Sequence, residues 1–455
     1  MVVNKMDGAV LTRLCNEFKK YNNIEPELYE KYQVKRGLRN SDGTGVMAGL
    51  THICNVHGYV VNDGERMPVD GKLIYRGIDM NDIIAACENE QRFGFEEVAW
   101  LLLFGTLPTA EQLQFFSDIL GQCRNLPEHF VEDMILKAPS PDVMNKLSRC
   151  VLALYTYDES PDDISLENLL NQSINLIAKL PAIMTCAFQV KRHHYDGKSM
   201  YFHQINSKHS TSEAILNATR LDRKFTKEEA LLLDLCLIMH AEHGGGNNST
   251  FATRVLSSSG TDTYAAISAA IGSLKGPKHG GANLKVMEML SYMKAGIKDY
   301  NDDEEIMLFI EKIIKKETGD RTGLVYGMGH AVYTLSDPRA IILREKSEKM
   351  AKERGFEDDF KLINAVERLT PEVFTRLKGD TKVISPNVDL YSGLVYKMIG
   401  INDDIFTPIF AIARVAGWCA HRIEEVLTGG RIIRPAYKSV EKMKPYIDIK
   451  SRIVL

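Results

Sequence analysis

The sequence lacks an excess of charge of either sign and lacks any long apolar run. Its 455 residues include 56 Lys and Arg against 60 Asp and Glu, a net charge of -4. A chain so balanced has no strong overall field to attract nucleic acid or an anionic membrane, so anionic partners must be held by a few local cations. No run of about 18 apolar residues occurs, so no transmembrane helix is expected.

Paired cysteines and targeting signals are missing as well. The eight cysteines are scattered and form no C-x-x-C pair, which favours reduced thiols over disulfides or a zinc site. The opening stretch, MVVNKMDGAVLTRLCNEFKK, has neither the apolar core of a secretion signal nor the acid-free, Arg-rich composition of a transit peptide. We therefore expect a cytoplasmic protein.

Helical patterning is what the sequence has in abundance. Residues 52–77 mix β-branched residues with Asn-Asp-Gly and Asp-Gly turns and predict short β-hairpins. After them the helical pattern scarcely stops, with capping residues such as Thr109 and Thr226 at predicted helix starts. Strands are far too few for a parallel sheet, so the fold class is all-α. The length favours one large and one smaller domain, after a polar N-terminal arm at residues 1–45.

Histidines stand in three glycine-rich loops: HAEHGGGN at residues 240–247, GPKHGGAN at 276–283 and YGMGHAVY at 326–333. Glycines let a ligand approach the backbone, and a glycine loop at a helix end exposes N–H groups toward anions. Residues 240–283 therefore suggest an anion-binding active site. A plainer interpretation exists for the first and third loops: His240 and His243 suit helix-end hydrogen bonds better than a metal, and His330 suits a structural turn.

One carboxylate and three arginines are candidates to complete the site. Asp389, in SPNVDLYSG, stands at a predicted helix start, where an N-cap is the simpler interpretation. Arg339 follows the third histidine loop, Arg434 lies in IIRP, and Arg414 lies in the apolar run FAIARVAGW, where a buried guanidinium must be paired. Proton removal from a weak carbon acid needs a carboxylate base and donors on the enolate oxygen, and arginines clamp carboxylates. These residues suit that reaction type.

The motifs GPKHGGAN, GMGHAVY with DPRA, PNVDLYSGLVY and FAIARVAGWCAH resemble, in order, those of the citrate synthase family. LIYRG and FEEVAWLLLFGTLPT match its N-terminal half, so the likeness covers about residues 46–440. The resemblance implies an all-α homodimer whose two domains close over the substrates. The small domain would span residues 284–397, and the large domain residues 46–283 and 398–455. A helix of small residues at 262–275 suits either a dimer interface or core packing.

The resemblance also implies roles for individual residues. Asp389 would take the methyl proton of the acetyl thioester, His279 would hydrogen-bond its carbonyl, and His330 would bind and protonate the oxaloacetate carbonyl. Arg434 would reach into the partner subunit's site. Further substrate-binding positions would be His243, Asn247, Arg339 and Arg414. Where many members carry Lys or Arg to face the coenzyme A phosphates, this chain has Thr334, which puts that contact in doubt.

The implied activity condenses acetyl-CoA with oxaloacetate and water to citrate and CoA, as in the tricarboxylic acid cycle, without a metal or redox cofactor. The nearest alternative is 2-methylcitrate synthase, which uses propionyl-CoA. More distant alternatives are a metal-dependent hydrolase built on His240 and His243, and a non-catalytic ligand-binding member of the same fold.

Overall fold

The computed structural model describes residues 6–62, 65–330, 332–379 and 384–452. The chain divides into two compact units, Met1–Leu50 and Thr51–Leu455. The first unit contains helices α1 (Gly8–Tyr21) and α2 (Glu27–Lys31). Helix α1 begins where the carboxylate of Asp7 accepts the N–H groups of Ala9 and Val10, as an N-cap does.

The second unit opens with a three-stranded antiparallel sheet in the order β1-β2-β3. Its strands are β1 (Cys54–Asn62), β2 (Glu65–Tyr75) and β3 (Ile78–Asp79). The predicted N-terminal hairpins are thus confirmed. The sheet lies against the loop that carries the third histidine motif, because Gly71 N–H donates to Ser336 Oγ at 3.1 Å and a Cβ at Gly58 would lie 3.1 Å from Tyr333 Cα.

The regular structure in the remainder of the described chain is helical, which confirms the all-α prediction. The helices of the first half are α3 (Met80–Asn89), α4 (Phe95–Phe104), α5 (Ala110–Gln122), α6 (Val143–Ala153), α7 (Leu166–Asp196), α8 (Thr211–Thr219) and α9 (Lys227–His240). Those of the second half are α10 (Asn248–Ser258), α11 (Thr263–Leu274), α12 (Ala282–Gly296), α13 (Asp303–Ile314), α14 (Pro338–Arg354), α15 (Glu357–Lys378), α16 (Asp389–Met398) and α17 (Phe406–Leu427). A π-helical turn (Val131–Leu136) and 3₁₀ turns (Arg36–Leu38, Leu154–Tyr157, Asp403–Ile405 and Ile449–Ser451) lie between and beyond them.

Local sequence explains where many helices begin and end. Thr109 and Thr226 each form a capping box with the residue three positions later, as predicted. Asp337 caps α14, with Pro338 as its first residue. Gly105 ends α4 at φ +87°, a conformation that a residue with a Cβ rarely adopts.

Helix α17 forms the centre of the core. All its residues from Phe406 to Ile423 are buried, and it packs on α4, α6, α7, α9, α10, α11 and α12. A helix surrounded in this way exposes none of its sides to water over that stretch. Any charged residue within it therefore needs a partner from a neighbouring element.

Helix α7 is long and apolar enough to cross a membrane by length and composition. In this protein 78% of its most apolar window is buried against other parts of the chain. It therefore has the surroundings of a core helix.

Helices α12 to α16 pack on one another through the pairs α12·α16, α13·α15, α14·α15 and α14·α16. They fall within residues 284–397 apart from the first residues of α12 and the last of α16. The division into a small domain over that range and a large domain around it stays a prediction.

Glu229 ties three helices together. Its carboxylate accepts Arg220 Nη1, just after α8, and Arg354 Nη1, at the end of α14, each at 2.7 Å. Arg354 also donates to the carbonyl of Met398, the last residue of α16, at 3.1 Å. Although burial alone would raise the pKa of Glu229, its two arginines lower it to about 2.

Replacing Glu229 should therefore have a pH-dependent cost. A lowered carboxyl pKa stabilises the fold above the ordinary pKa and loses that effect as pH falls toward 2. We expect Glu229→Gln to destabilise the fold at pH 7 by up to roughly 3 kcal/mol, at about 1.4 kcal/mol per pKa unit, and by much less at pH 3. Denaturant unfolding at both pH values measures this. The exposed neighbour Glu228→Gln is the control, and an equal loss at pH 3 and pH 7 would contradict the ionic explanation.

Candidate active site

Two loops from distant parts of the chain pair and bring predicted site residues together. Gly329 N–H donates to the carbonyl of Ser385 at 2.7 Å, and Asn387 N–H donates to the carbonyl of Gly327 at 2.9 Å. Gly327 has φ +81°, and a Cβ there would lie 2.9 Å from Leu390 Cα, so this close approach requires glycine. The pairing places His330 at the end of one loop close to the start of α16.

Tyr333 is the centre of the first half of the site. His330 stacks on its ring with centroids 4.6 Å apart, and His243 approaches the same ring at 5.6 Å and the His330 ring at 5.1 Å. The Arg339 guanidinium lies 5.9 Å from the ring centroid. Arg339 is 3% exposed, and its Nε and Nη2 both donate to the Asp337 carboxylate, at 3.0 and 2.8 Å.

Phe410 is the centre of the second half. It contacts the rings of His240 at 4.1 Å and His279 at 6.4 Å, and the Arg414 guanidinium lies 4.8 Å from its centroid. Arg414 is fully buried. Its Nε donates to the His240 carbonyl at 2.6 Å, but Nη1 and Nη2 have no hydrogen-bond partner.

Electrostatics join the two halves. Burial lowers the pKa of His243 well below its usual value, and Arg339, His330, Arg414 and His279 lower it further. Burial, followed by Arg414, lowers the pKa of His279 to about 3. These imidazoles are therefore neutral near pH 7, while both buried guanidinium groups carry charge. The site is adapted to bind an anion with neutral hydrogen-bonding groups around it.

Asp389 supplies a carboxylate that is bound to little else. Its Oδ1 is buried and has no hydrogen-bond partner. Burial raises the pKa of Asp389 to about 7; Asp337 adds to the rise, while Arg339 and Arg414 oppose it. A carboxyl group with that pKa is poised to exchange a proton near neutral pH.

The N-cap interpretation of Asp389 is wrong. Asp389 is the first residue of α16 itself. The residue at the N-cap position is Val388, whose side chain makes no capping hydrogen bond. Asn387 takes the turn-forming role, because its Oδ1 accepts the Asp389 N–H at 3.0 Å. The Asp389 carboxylate therefore does not cap the helix and is available to interact with a substrate.

Ser249 and Trp418 belong to the site although sequence reasoning did not select them. Ser249 Oγ lies 2.9 Å from His279 Nε2 and 2.9 Å from Asn247 Oδ1, and it accepts Trp418 Nε1–H at 3.2 Å. Ser249 follows HAEHGGGN by two residues, so proximity to that motif was the one available signal. Tyr333 lies within a quoted motif, and Phe410 begins the run that contains Arg414.

Three further predictions concern the histidine pair, a metal site and Arg434. Helix α9 ends at His240, so only His240 belongs to the helix end, and His243 lies in the following loop. The part of the chain that the structure describes contains no group of three His, Cys, Asp or Glu side chains placed to share a metal ion. Arg434 is exposed on the segment after α17, outside the two ring-centred clusters.

A comparison with known proteins identifies the family. Residues 40–436 match the family described as citrate synthase, C-terminal domain. The chain belongs to the citrate synthase family. It is 33% identical to citrate synthase of Synechocystis sp. over 90% of this chain and 93% of that protein. It is also 32% identical to 2-methylcitrate synthase 1 of Corynebacterium glutamicum, over 90% of this chain and 96% of that protein.

Solved structures of citrate synthases have the same fold. One is citrate synthase of Thermoplasma acidophilum, in a ternary complex with carboxymethyl coenzyme A and oxaloacetate. Its TM-score is 0.76 at 27% identity, covering 92% of this chain and 99% of that one. Citrate synthase of Thermotoga maritima gives a TM-score of 0.72 at 28% identity, with coverage of 92% and 99%. The predicted family, all-α fold and citrate synthase-type acyltransferase activity are confirmed.

The buried carboxylate of Asp389 should destabilise the fold at high pH. A raised carboxyl pKa means that the folded state holds the proton more tightly, so stability falls as pH rises from about 4 to 7. Asp389→Asn removes this cost and should stabilise the protein at pH 8 by up to roughly 4 kcal/mol, at about 1.4 kcal/mol per pKa unit, with little effect near pH 4. Unfolding midpoints at the two pH values measure it, with the exposed Asp82→Asn as control. If Asp389→Asn is less stable than the wild type at pH 8, the ionised Asp389 carboxylate does not destabilise the fold.

Proposed function

We propose that this citrate synthase family member uses acetyl-CoA and oxaloacetate, with Asp389 as the base. The observation that carries the proposal is the Asp389 carboxylate, unpartnered at Oδ1, with a pKa raised to about 7, in a site with two buried guanidinium groups. Asp389 takes a methyl proton from the thioester, and the resulting enol attacks the keto carbon of oxaloacetate. Water then cleaves the thioester and releases citrate and CoA.

His330 is proposed to act on the oxaloacetate carbonyl. Its Nδ1 accepts the backbone N–H groups of Val332 and Tyr333, at 3.1 and 3.0 Å. Because Nδ1 serves as an acceptor, the ring proton of neutral His330 is on Nε2. Nε2–H can then hydrogen-bond the keto oxygen and transfer its proton as the new carbon–carbon bond forms.

His279 is proposed to stabilise the enol oxygen as a donor through Nδ1–H. That role requires Nε2 to accept a hydrogen bond, so the Ser249 hydroxyl must donate to it. Asn247 then has to turn its amide N–H toward Ser249, an orientation that differs from the assigned one by a 180° flip. Ser249, Asn247 and Trp418 thus set the tautomer of His279.

Oxaloacetate is proposed to be held by His243, Arg339 and Arg414. The free Nη1 and Nη2 of Arg414 suit one carboxylate. Arg339 is already bonded to Asp337 on one edge, which fixes its direction. We further propose that the reaction uses no metal or redox cofactor, since side chains supply the base, the donors and the anion clamp.

We also propose a cytoplasmic homodimer that acts in the tricarboxylic acid cycle. The outer face of α11 supports an interface, because Gly272 is exposed with open space beside it and Ala265, Ser268 and Ala269 are only partly covered. Small residues allow close packing of helices. The exposed Arg434 is proposed to enter the partner subunit's site.

The choice of thioester is tested by comparing acetyl-CoA with propionyl-CoA at the same oxaloacetate concentration. An added methylene in an apolar pocket changes binding by only about 1 to 3 kcal/mol. We expect kcat/KM for acetyl-CoA to exceed that for propionyl-CoA by about 10-fold or more, measured by release of the CoA thiol. A preference for propionyl-CoA would assign the chain as a 2-methylcitrate synthase.

The shared site is tested by mixing two inactive variants. Asp389→Ala should abolish condensation while oxaloacetate binding, measured by calorimetry, persists. Arg434→Ala should remove the partner's contribution. Co-expression of the two should restore about a quarter of the wild-type activity, because half of the dimers are hybrids with one intact site in each.

Each variant alone, purified in the same way, is the control for this mixture. If the mixed preparation contains hybrids but gains no activity, Arg434 does not act across the interface. Full turnover by Asp389→Ala alone would refute its assignment as the base.

A further inference from the structure

A buried carboxylate beside the site has no role in the proposed reaction. Glu242 directly precedes His243 and is fully buried. Its Oε1 accepts the Gly244 N–H at 2.6 Å, whereas Oε2 has no hydrogen-bond partner. A buried carboxylate is costly unless cations or donors compensate for it, so its neighbours must account for its presence.

Helix α17 provides those neighbours on a single face. Arg414, Gly417 and His421 follow one another at positions i, i+3 and i+7, so they lie on the same side of the helix. A Cβ at Gly417 would overlap Glu242 Oε2 and the Ala241 carbonyl. The carboxylate therefore occupies the space that the missing side chain leaves between the arginine and the histidine.

The contacts of His421, the histidine on this face, determine which ring nitrogen carries its proton. Its Nδ1 accepts Arg254 Nε at 3.0 Å and Nη2 at 2.7 Å. Because arginine has no acceptor, Nδ1 must be unprotonated and the proton of neutral His421 must be on Nε2. That nitrogen lies 3.2 Å from Glu242 Oε1, close enough for an ionic contact but without hydrogen-bond geometry.

The network is anchored at its far end. Arg254 forms ion pairs with Glu424 and, at 2.7 Å, with Glu425, and Glu424 also accepts the His52 N–H at 2.8 Å. His421 is therefore held in place from the side away from Glu242. On the site side, burial is the largest influence on the pKa of both Glu242 and Arg414. Arg414 lowers the pKa of Glu242, and Glu242 raises that of Arg414.

We propose that Glu242 is a positioning residue for the keto-acid half of the site. Its carboxylate accepts the Gly244 N–H, lies against His421 and fills the space beside Gly417, and so fixes the loop that presents His243 beside the helix face that carries Arg414. Arg414 is tied to the same segment, because its Nε donates to the His240 carbonyl. The inference rests on the proposed assignment of Arg414 and His243 to oxaloacetate.

Glu242→Gln separates positioning from a simple effect of charge. If the Glu242 carboxylate positions the groups proposed to bind oxaloacetate, loss of the carboxylate should raise KM for oxaloacetate by about 10-fold. The kcat and the KM for acetyl-CoA should change by less than about 2-fold. If it acts only by reducing the positive potential, its loss should tighten binding of the dianion. An unchanged or lower KM for oxaloacetate overturns the proposal. Glu97→Gln, at another buried carboxylate, is the matched control and should leave both KM values unchanged.

A pair of changes at His421 decides the matter even if Glu242→Gln fails to fold. His421→Gln keeps an N–H donor for Glu242 and an acceptor for Arg254, whereas His421→Leu keeps neither. We expect the Gln variant to stay within about 3-fold of the wild-type KM for oxaloacetate and the Leu variant to match the 10-fold rise. Equal KM values in the two variants overturn the proposal.

Arg414→Gln distinguishes failure of this inference from failure of the proposed site. If Arg414→Gln leaves oxaloacetate binding unchanged, the assignment of Arg414 is wrong. If it weakens binding while Glu242→Gln does not, the assignment stands and only the positioning role is lost.

Discussion

The burial of two guanidinium groups is the constraint on which the site depends. Arg339 and Arg414 are 3% and 0% exposed. Burial opposes the charge of both, and Arg339 further lowers the pKa of Arg414. Arginine stays protonated, so the fold must compensate for both charges. Asp337 does so for Arg339 with two hydrogen bonds. Arg414 has one bond to a carbonyl and the nearby charge of Glu242, which leaves its outer nitrogens available to an anion.

The same constraint sets the chemistry of the remaining groups. Buried histidines beside fixed positive charge lose their protons, so His243 and His279 act as neutral hydrogen-bonding groups. Asp389 experiences the opposite balance: burial raises its pKa more than the arginines lower it. A weakly acidic thioester needs a base of about that strength at neutral pH. Neutral imidazoles and one poised carboxylate thus follow from a single electrostatic arrangement.

Much of this could be predicted from the sequence, for a physical reason. Helix starts depend on local chemistry, so Thr109 and Thr226 marked them correctly. His243, His279, His330 and Asp389 lie in motifs whose glycines and prolines show that the backbone itself is constrained. Ser249, His421 and Glu242 escaped notice because their importance comes from contacts between residues far apart in sequence. Glu242 sits within a quoted motif, but only the structure shows that its carboxylate lies where a side chain at Gly417 would be.

The two arginines also give a physical reason for the predicted closure of two domains over the site. Arg339 lies in the first turn of α14, within the predicted small domain, whereas Arg414 lies in the core helix of the predicted large one. Without an anion between them, like charges oppose the approach of the two domains. A dicarboxylate that accepts from both removes that repulsion and binds best when they are close. On this argument oxaloacetate would bind first and draw the domains together. Asp389 belongs to the same predicted domain as Arg339, so it would reach the thioester only after closure, and enolisation would await the electrophile.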